Sequence, residues 1–271
     1  KIYSCLMEKV KAKKEFGQNF LKDSSILDKI IQSMPHNNNH IVEIGPGLGD
    51  LTKNLVKYKD VTAYEVDTDL IGILKSKFAN EIESKKFTLK HIDVLRAWDE
   101  LKFLHDGKYD LIANLPYYIA TNIILRAFED ELCEHIIVMV QKEVAQKFTA
   151  KVNDKEYSSL GIMTELISKE SKILFDVPAE AFDPMPKVTS SVLYIKKDLS
   201  LKFDKDFNRF LKACFVQPRK KLSKNLSSIL DKSKILALYE ELELNDNLRP
   251  HEVSSSLYSQ MHTKVKNGRD K

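Results

Sequence analysis

The sequence predicts an α/β fold, a largely parallel sheet covered by helices, followed by a small all-helical domain. Three observations carry this. Short apolar runs alternate with amphipathic segments over the first two thirds of the chain, a glycine-rich turn follows the first run, and helical periodicity replaces the strand pattern from about Leu199.

Taken in order, residues 1–15 carry Lys9, Lys11, Lys13 and Lys14 with little apolar periodicity and read as a flexible basic arm. Met7 adds the expectation that residues 1–6 lie outside the folded unit. Asp23 and Ser24 are N-cap candidates for a helix whose face is Ile26, Leu27, Ile30 and Ile31, ending near Pro35. The strand candidates are Ile41–Ile44, Val61–Glu65, Phe87–Lys90, Tyr109–Ala113, Ile136–Val140, Ile173–Val177 and Val192–Ile195. Helical segments between the first five imply parallel pairing with helices on both faces. After the polar link 196–200, the spacing of Phe203, Phe207, Phe210, Leu211 and Phe215 marks a second, helical domain.

With 271 residues and 43% hydrophobic content, the chain can fill a substantial core. No apolar run reaches the roughly 18 to 20 residues that cross a bilayer, and the N-terminus lacks a signal-like stretch. A cytoplasmic protein with no membrane partner is expected. Cys5, Cys133 and Cys214 lie far apart and the histidines are scattered, so neither a disulfide framework nor a metal site is expected.

The net charge of +4 is unevenly placed. From Leu199 onward there are 15 Lys and Arg against 9 Asp and Glu, whereas residues 1–198 hold 28 against 30. A basic lobe beside a near-neutral one suits a polyanion, since neutralising phosphates releases counterions. A merely solvated lysine-rich surface would show the same composition.

The first strand runs into Gly45-Pro46-Gly47-Leu48-Gly49, with a helix expected near Asp50. Strand, glycine turn and helix form a ligand crevice in such sheets. A dinucleotide fingerprint would need glycine at Asp50 instead of an acid that repels pyrophosphate. Glu43 is equally awkward beside phosphate, yet suits an ammonium group. Glu65 closes the second strand, where a carboxylate can accept both hydroxyls of a ribose. Asp93 closes the third, where it can accept from an adenine amine while Val94 packs on the ring. Glu65 or Asp93 alone would more readily be a surface or capping residue; closing consecutive strands beside a glycine turn, they fit a nucleoside carrying a charged amino acid.

The fourth strand delivers Asn114-Leu115-Pro116-Tyr117-Tyr118. An exocyclic adenine amine is a poor nucleophile, and acceptors such as the Asn114 side-chain oxygen and the Leu115 carbonyl could bind its N–H groups and aim its lone pair. Pro116 fixes the turn, and Tyr117 offers a face for an extruded base. A strand-terminating turn with two buried tyrosines is the competing explanation.

Assembled, these residues resemble the ribosomal RNA adenine dimethyltransferase family, over nearly everything from Lys13 to His251. Gly17-Gln18-Asn19-Phe20-Leu21-Lys22-Asp23 is similar to its N-terminal cofactor lid, which implies Gln18 and Asn19 near the methionine end and Leu21 near the ribose. The stretch 182–190, Phe-Asp-Pro-Met-Pro-Lys-Val-Thr-Ser, is similar to its target-base loop and implies Phe182 stacking opposite Tyr117. Gly17, Leu115, the run 141–145 and the run 215–222 resemble the small-subunit, KsgA-type branch; Pro218 departs from it by replacing an arginine, leaving Arg219, Lys220, Lys221 and Lys224 as the basic contacts.

The resemblance implies a Rossmann-like class I methyltransferase sheet, a catalytic domain over 16–198 and a helical RNA-binding domain over 199–271. It further implies S-adenosylmethionine held by Gln18, Asn19, Leu21, Glu43, Gly45, Gly47, Glu65, Asp93, Val94 and Asn114. The implied activity is dimethylation of two adjacent adenosines in a hairpin near the 3′ end of small-subunit rRNA, by a monomer acting within the ribosomal subunit. A large-subunit, macrolide-resistance methyltransferase and a noncatalytic RNA-binding assembly factor are the alternatives.

Overall fold

In the computed structural model, Lys13 and residues 18–267 are described. The expected basic arm, apart from Lys13, lies outside the described residues, as do Cys5 and Gly17. β1 (Phe20–Leu21) leads to α1 (Ser24–Gln32), β2 (His40–Ile44), α2 (Thr52–Leu55), β3 (Val61–Glu65), α3 (Thr68–Lys77), α4 (Ala79–Glu83) and β4 (Phe87–His91). Then come α5 (Val94–Leu101), β5 (Tyr109–Asn114), α6 (Ala120–Glu129), β6 (Cys133–Gln141), α7 (Lys142–Thr149) and α8 (Ser159–Ile167). β7 (Ser168–Val177), β8 (Phe182–Asp183) and β9 (Ser190–Lys197) precede α9 (Lys205–Cys214), α10 (Leu222–Leu226), α11 (Lys232–Glu241) and α12 (Ser255–Asn267).

The main sheet has the order β4-β3-β2-β5-β6-β9-β7. β2, β3, β4, β5 and β6 pair in parallel, and β9 is antiparallel to β6. Inner strands covered on both faces are largely apolar, which is why β5 and β6 carry the hydrophobic runs 111–113 and 136–140. The chain leaves β2 toward β3 and β4 and later returns on its other side with β5. That reversal opens a crevice beyond the carboxyl ends of β2 and β5, the usual ligand position in an open α/β sheet.

Two compact units divide the chain. The first comprises residues up to Ala145 with Lys169–Leu201, and the second comprises Gln146–Ser168 with Lys202 onward. The expected boundary at 198/199 therefore misses an excursion: residues 146–168 group with the helical unit. The reason is apolar packing, because Ala150, Tyr157, Ile162 and Met163 bury in one cluster with Phe207, Phe210, Leu211 and Tyr258. The α9 stripe is buried at Phe207, Phe210, Leu211 and Cys214, and Asp204 caps the helix by accepting the Asp206 and Phe207 N–H groups. Burial pushes the Cys133 and Cys214 thiols up to about 12, so both remain protonated, unreactive core residues.

The core of the sheet unit includes Ile41, Leu55, Val61, Leu70, Leu74, Phe78 and Phe87. It also holds Phe182. β8 pairs antiparallel with β1, Leu21 opposite Phe182, and this pairing turns the Phe182 ring inward to 4% exposure. Asp23 caps α1 through the Ser25 N–H at 2.9 Å, as expected.

Candidate active site

The glycine turn is built by backbone need. Gly45, Gly47 and Gly49 all have positive φ, at 65°, 59° and 78°. A Cβ at Gly47 would stand 3.1 Å from the Phe20 ring, and one at Gly49 within 2.5 Å of Phe78. A side chain at Gly49 would clash with Phe78 in the core, and one at Gly47 would crowd the Phe20 ring of β1. The helix expected near Asp50 is α2, a single turn beginning at Thr52 with Leu51 already in the helical region.

A cavity beyond the strand ends is lined by Gln18, Asn19, Leu21, Glu43, Gly45, Gly47, Glu65, Asp93, Val94, Asn114, Leu115, Pro116 and Tyr117. Every sequence-predicted cofactor residue therefore reaches one space. Phe182 does not line it. The expected stacking of Phe182 opposite Tyr117 would need its ring, 4% exposed and packed with the sheet core, to present a face to the target base.

Three carboxylates differ in surroundings. Glu43 is 2% exposed and accepts the Thr52 hydroxyl at 2.6 Å; burial raises its pKa to about 8 against the opposing hydrogen bond. A cationic ligand group would restore its charge. Glu65, also buried, is raised by desolvation, while its Oε1 accepts the Val66 and Asp67 N–H groups at 2.9 Å each. Those amides hold the carboxylate at the end of β3. Asp93 is the N-cap of α5, accepting Leu95 N–H at 2.8 Å and Arg96 N–H at 3.2 Å, both on Oδ1. Capping and ligand contact are compatible, because one oxygen serves the cap.

Asn114 ends β5, and its Nδ2 donates to the Asn19 carbonyl at 3.1 Å. Tyr117 is half-buried with its hydroxyl 2.6 Å from Ser190 Oγ. Tyr118, expected to be a buried partner if the turn were structural, is instead 59% exposed and lines the cavity.

Lys13 and Gln18 are both bound by a residue that sequence reasoning passed over. Asp67, 2% exposed at the N-cap of α3, accepts from Lys13 Nζ at 2.6 Å and from Gln18 Nε2 at 2.8 Å. Burial would raise its pKa, but these two donors outweigh that and lower it. Gln18 Oε1 also accepts the Lys13 N–H at 2.8 Å, so both ends of its amide are engaged. The signal was present: an acid followed by Thr68 and Asp69 is a helix-start pattern.

These residues fit S-adenosylmethionine. Carboxylates close the ends of β3 and β4, a buried neutral acid waits for a cation, and glycines leave the backbone bare. Among the described residues no group of three or more His, Cys, Asp or Glu is placed to hold a metal ion, and no helix is long and apolar enough to cross a membrane.

Comparison with known proteins agrees. The profile of the family described as ribosomal RNA adenine dimethylase matches residues 9–266. The ribosomal RNA small subunit methyltransferase A of Aliarcobacter butzleri is 84% identical over 265 residues, covering 98% of this chain and 100% of the relative. That of Sulfurimonas denitrificans is 54% identical, covering 94% of each. Among solved structures, a dimethyladenosine transferase from Plasmodium falciparum has a TM-score of 0.76 at 23% identity, covering 92% of this chain and 98% of that one. The 23S rRNA methyltransferase ErmE has a TM-score of 0.67 at 20% identity, covering 92% and 100%. Both share the fold; the near-full-length sequence identity carries the rest, and the chain belongs to the ribosomal RNA adenine dimethylase family, S-adenosylmethionine-dependent methyltransferases acting on ribosomal RNA.

Proposed function

We propose that the chain dimethylates two adjacent adenosines in a hairpin near the 3′ end of small-subunit rRNA, working as a monomer on the ribosomal subunit. The observation that carries the chemistry is the shared cavity: Glu43, Glu65 and Asp93 line the same space as Asn114-Leu115-Pro116-Tyr117. Small-subunit choice is supported by the 84% identical relative.

Bound S-adenosylmethionine supplies an electrophilic methyl group on a sulfonium. Glu43 balances the amino-acid cation, Glu65 receives the ribose and Asp93 the adenine amine, with Gly45 and Gly47 leaving room at the backbone. Asn114 does the positioning at the target. With Nδ2 held by the Asn19 carbonyl, its Oδ1 is the atom left to accept an N–H of the target amine. The Leu115 carbonyl takes the second N–H, and Tyr117 stacks on the extruded base with its ring steadied by Ser190. Two acceptors favour a pyramidal nitrogen whose lone pair is free to attack, and fixed dipoles need no reorganisation as charge develops.

Asn114→Ala tests this. Because the lost bond acts at the reacting nitrogen, the single-turnover rate should fall about a hundredfold or more while cofactor affinity changes little. A folded variant with near-normal rate would overturn the assigned role.

A further inference from the structure

Tyr118 stands at the cavity with no role in the chemistry assigned to Asn114, Leu115 and Tyr117. The turn 116–119 is closed by the Ile119 N–H donating to the Pro116 carbonyl at 3.2 Å, and its two tyrosines diverge. Tyr117 is tied to Ser190 at the start of β9. Tyr118 carries its ring at the cavity rim, 59% exposed, with its pKa raised by partial burial and by the charges of Asp93 and Glu65. Those acids end β4 and β3, where the nucleoside part of the cofactor is assigned.

Glu65 and Asp93 meet a nucleoside only at its polar edges. A purine and a ribose also have faces, and an uncovered face leaves apolar surface in water. Among the cavity residues on this side, Val66, Ile92 and Val94 are aliphatic, and Tyr118 is the large aromatic left in solvent. Its neighbourhood also selects against the other aromatic task. Two carboxylates repel a phosphate backbone, so an RNA base arriving with its phosphates is disfavoured beside Tyr118, whereas the nucleoside of S-adenosylmethionine carries no phosphate.

We propose that Tyr118 is the face contact for the adenosine moiety of S-adenosylmethionine, covering it at the cavity mouth and setting cofactor affinity, while Tyr117 serves the target base. This rests on the cavity being the cofactor site. The two tyrosines thereby divide the two adenines of the reaction between them.

The test measures binding of S-adenosylmethionine and S-adenosylhomocysteine to the full chain by calorimetry, without RNA. Tyr118→Ala should weaken both about tenfold, and Tyr118→Phe, which keeps the ring, should stay within about twofold of the parent. Neither variant should shift the melting temperature of the protein alone, and the KM for RNA should be unchanged. Glu65→Ala is measured beside them. If Glu65→Ala weakens binding and Tyr118→Ala does not, the Tyr118 assignment fails by itself; if neither weakens it, the cavity is not the cofactor site. A raised KM for RNA with unchanged cofactor affinity would instead put Tyr118 on the substrate side and overturn the proposal.

Discussion

Glu43 shows how burial writes function into one residue. Its folded pKa of about 8 lies above the ordinary value of 4.5, so between these the folded protein keeps a proton that the unfolded chain has lost. Its contribution to stability therefore declines as pH rises from about 4.5 toward 8, the direction opposite to a salt-bridged carboxylate. An ammonium beside it reverses the preference and expels the proton. Cofactor binding at pH 7 should then release roughly one proton through Glu43. Calorimetry in two buffers of different ionisation enthalpy detects this, and the release should be smaller by that proton in Glu43→Gln. Identical proton counts for parent and variant would show that Glu43 does not face the cation.

At the scale of elements, the sequence was most legible where chain-local patterns decide the outcome. Each expected strand is present, the inner ones β2, β5 and β6 most legibly because buried parallel strands must be largely apolar, and Asp23, Glu65 and Asp93 sit at the element ends their patterns indicated. Contacts between distant segments were not legible. The β1 and β8 pair is two residues long, too short for any period, yet it decides that Phe182 is core. Asp67 reaches back across 54 positions to Lys13. The basic loop is a third case. Asn225, 4% exposed, accepts the Gln217 N–H at 2.7 Å and donates to the carbonyls of Gln217 and Lys221, holding residues 217–221 in an exposed turn. The Lys220 N–H donates to the Gln217 carbonyl at 2.9 Å, which places Pro218 second in that turn, where its fixed φ is favourable. The substitution of an expected arginine thus trades a charge for a preorganised loop presenting Arg219, Lys220 and Lys221. Replacing Arg219 and Lys220 with Gln together should flatten the slope of log affinity for RNA against log salt by about 1.5. An unchanged slope would mean that these side chains face solvent in the complex.

Over the whole molecule, charge and chemistry separate. The sheet unit holds the cavity, and the excess of positive charge belongs to the residues from Leu199 onward. A short hairpin loop carries too little sequence to specify one site, so the proposed function requires selectivity from outside the pocket, and the basic residues from Leu199 onward are the candidates to engage the surrounding RNA. Unpaired loop adenosines are also the least costly to extrude, and a pocket that grips the base by its faces can readmit a monomethylated amine. The measurement that tests this most directly offers the protein and labelled S-adenosylmethionine to unmethylated small subunits, large subunits and deproteinised rRNA, then maps dimethyladenosine. Dimethylation of two adjacent adenosines near the 3′ end of the small-subunit rRNA is expected, strongest in the assembled particle. Preferential labelling of large subunits, or no labelling of any RNA, would contradict it.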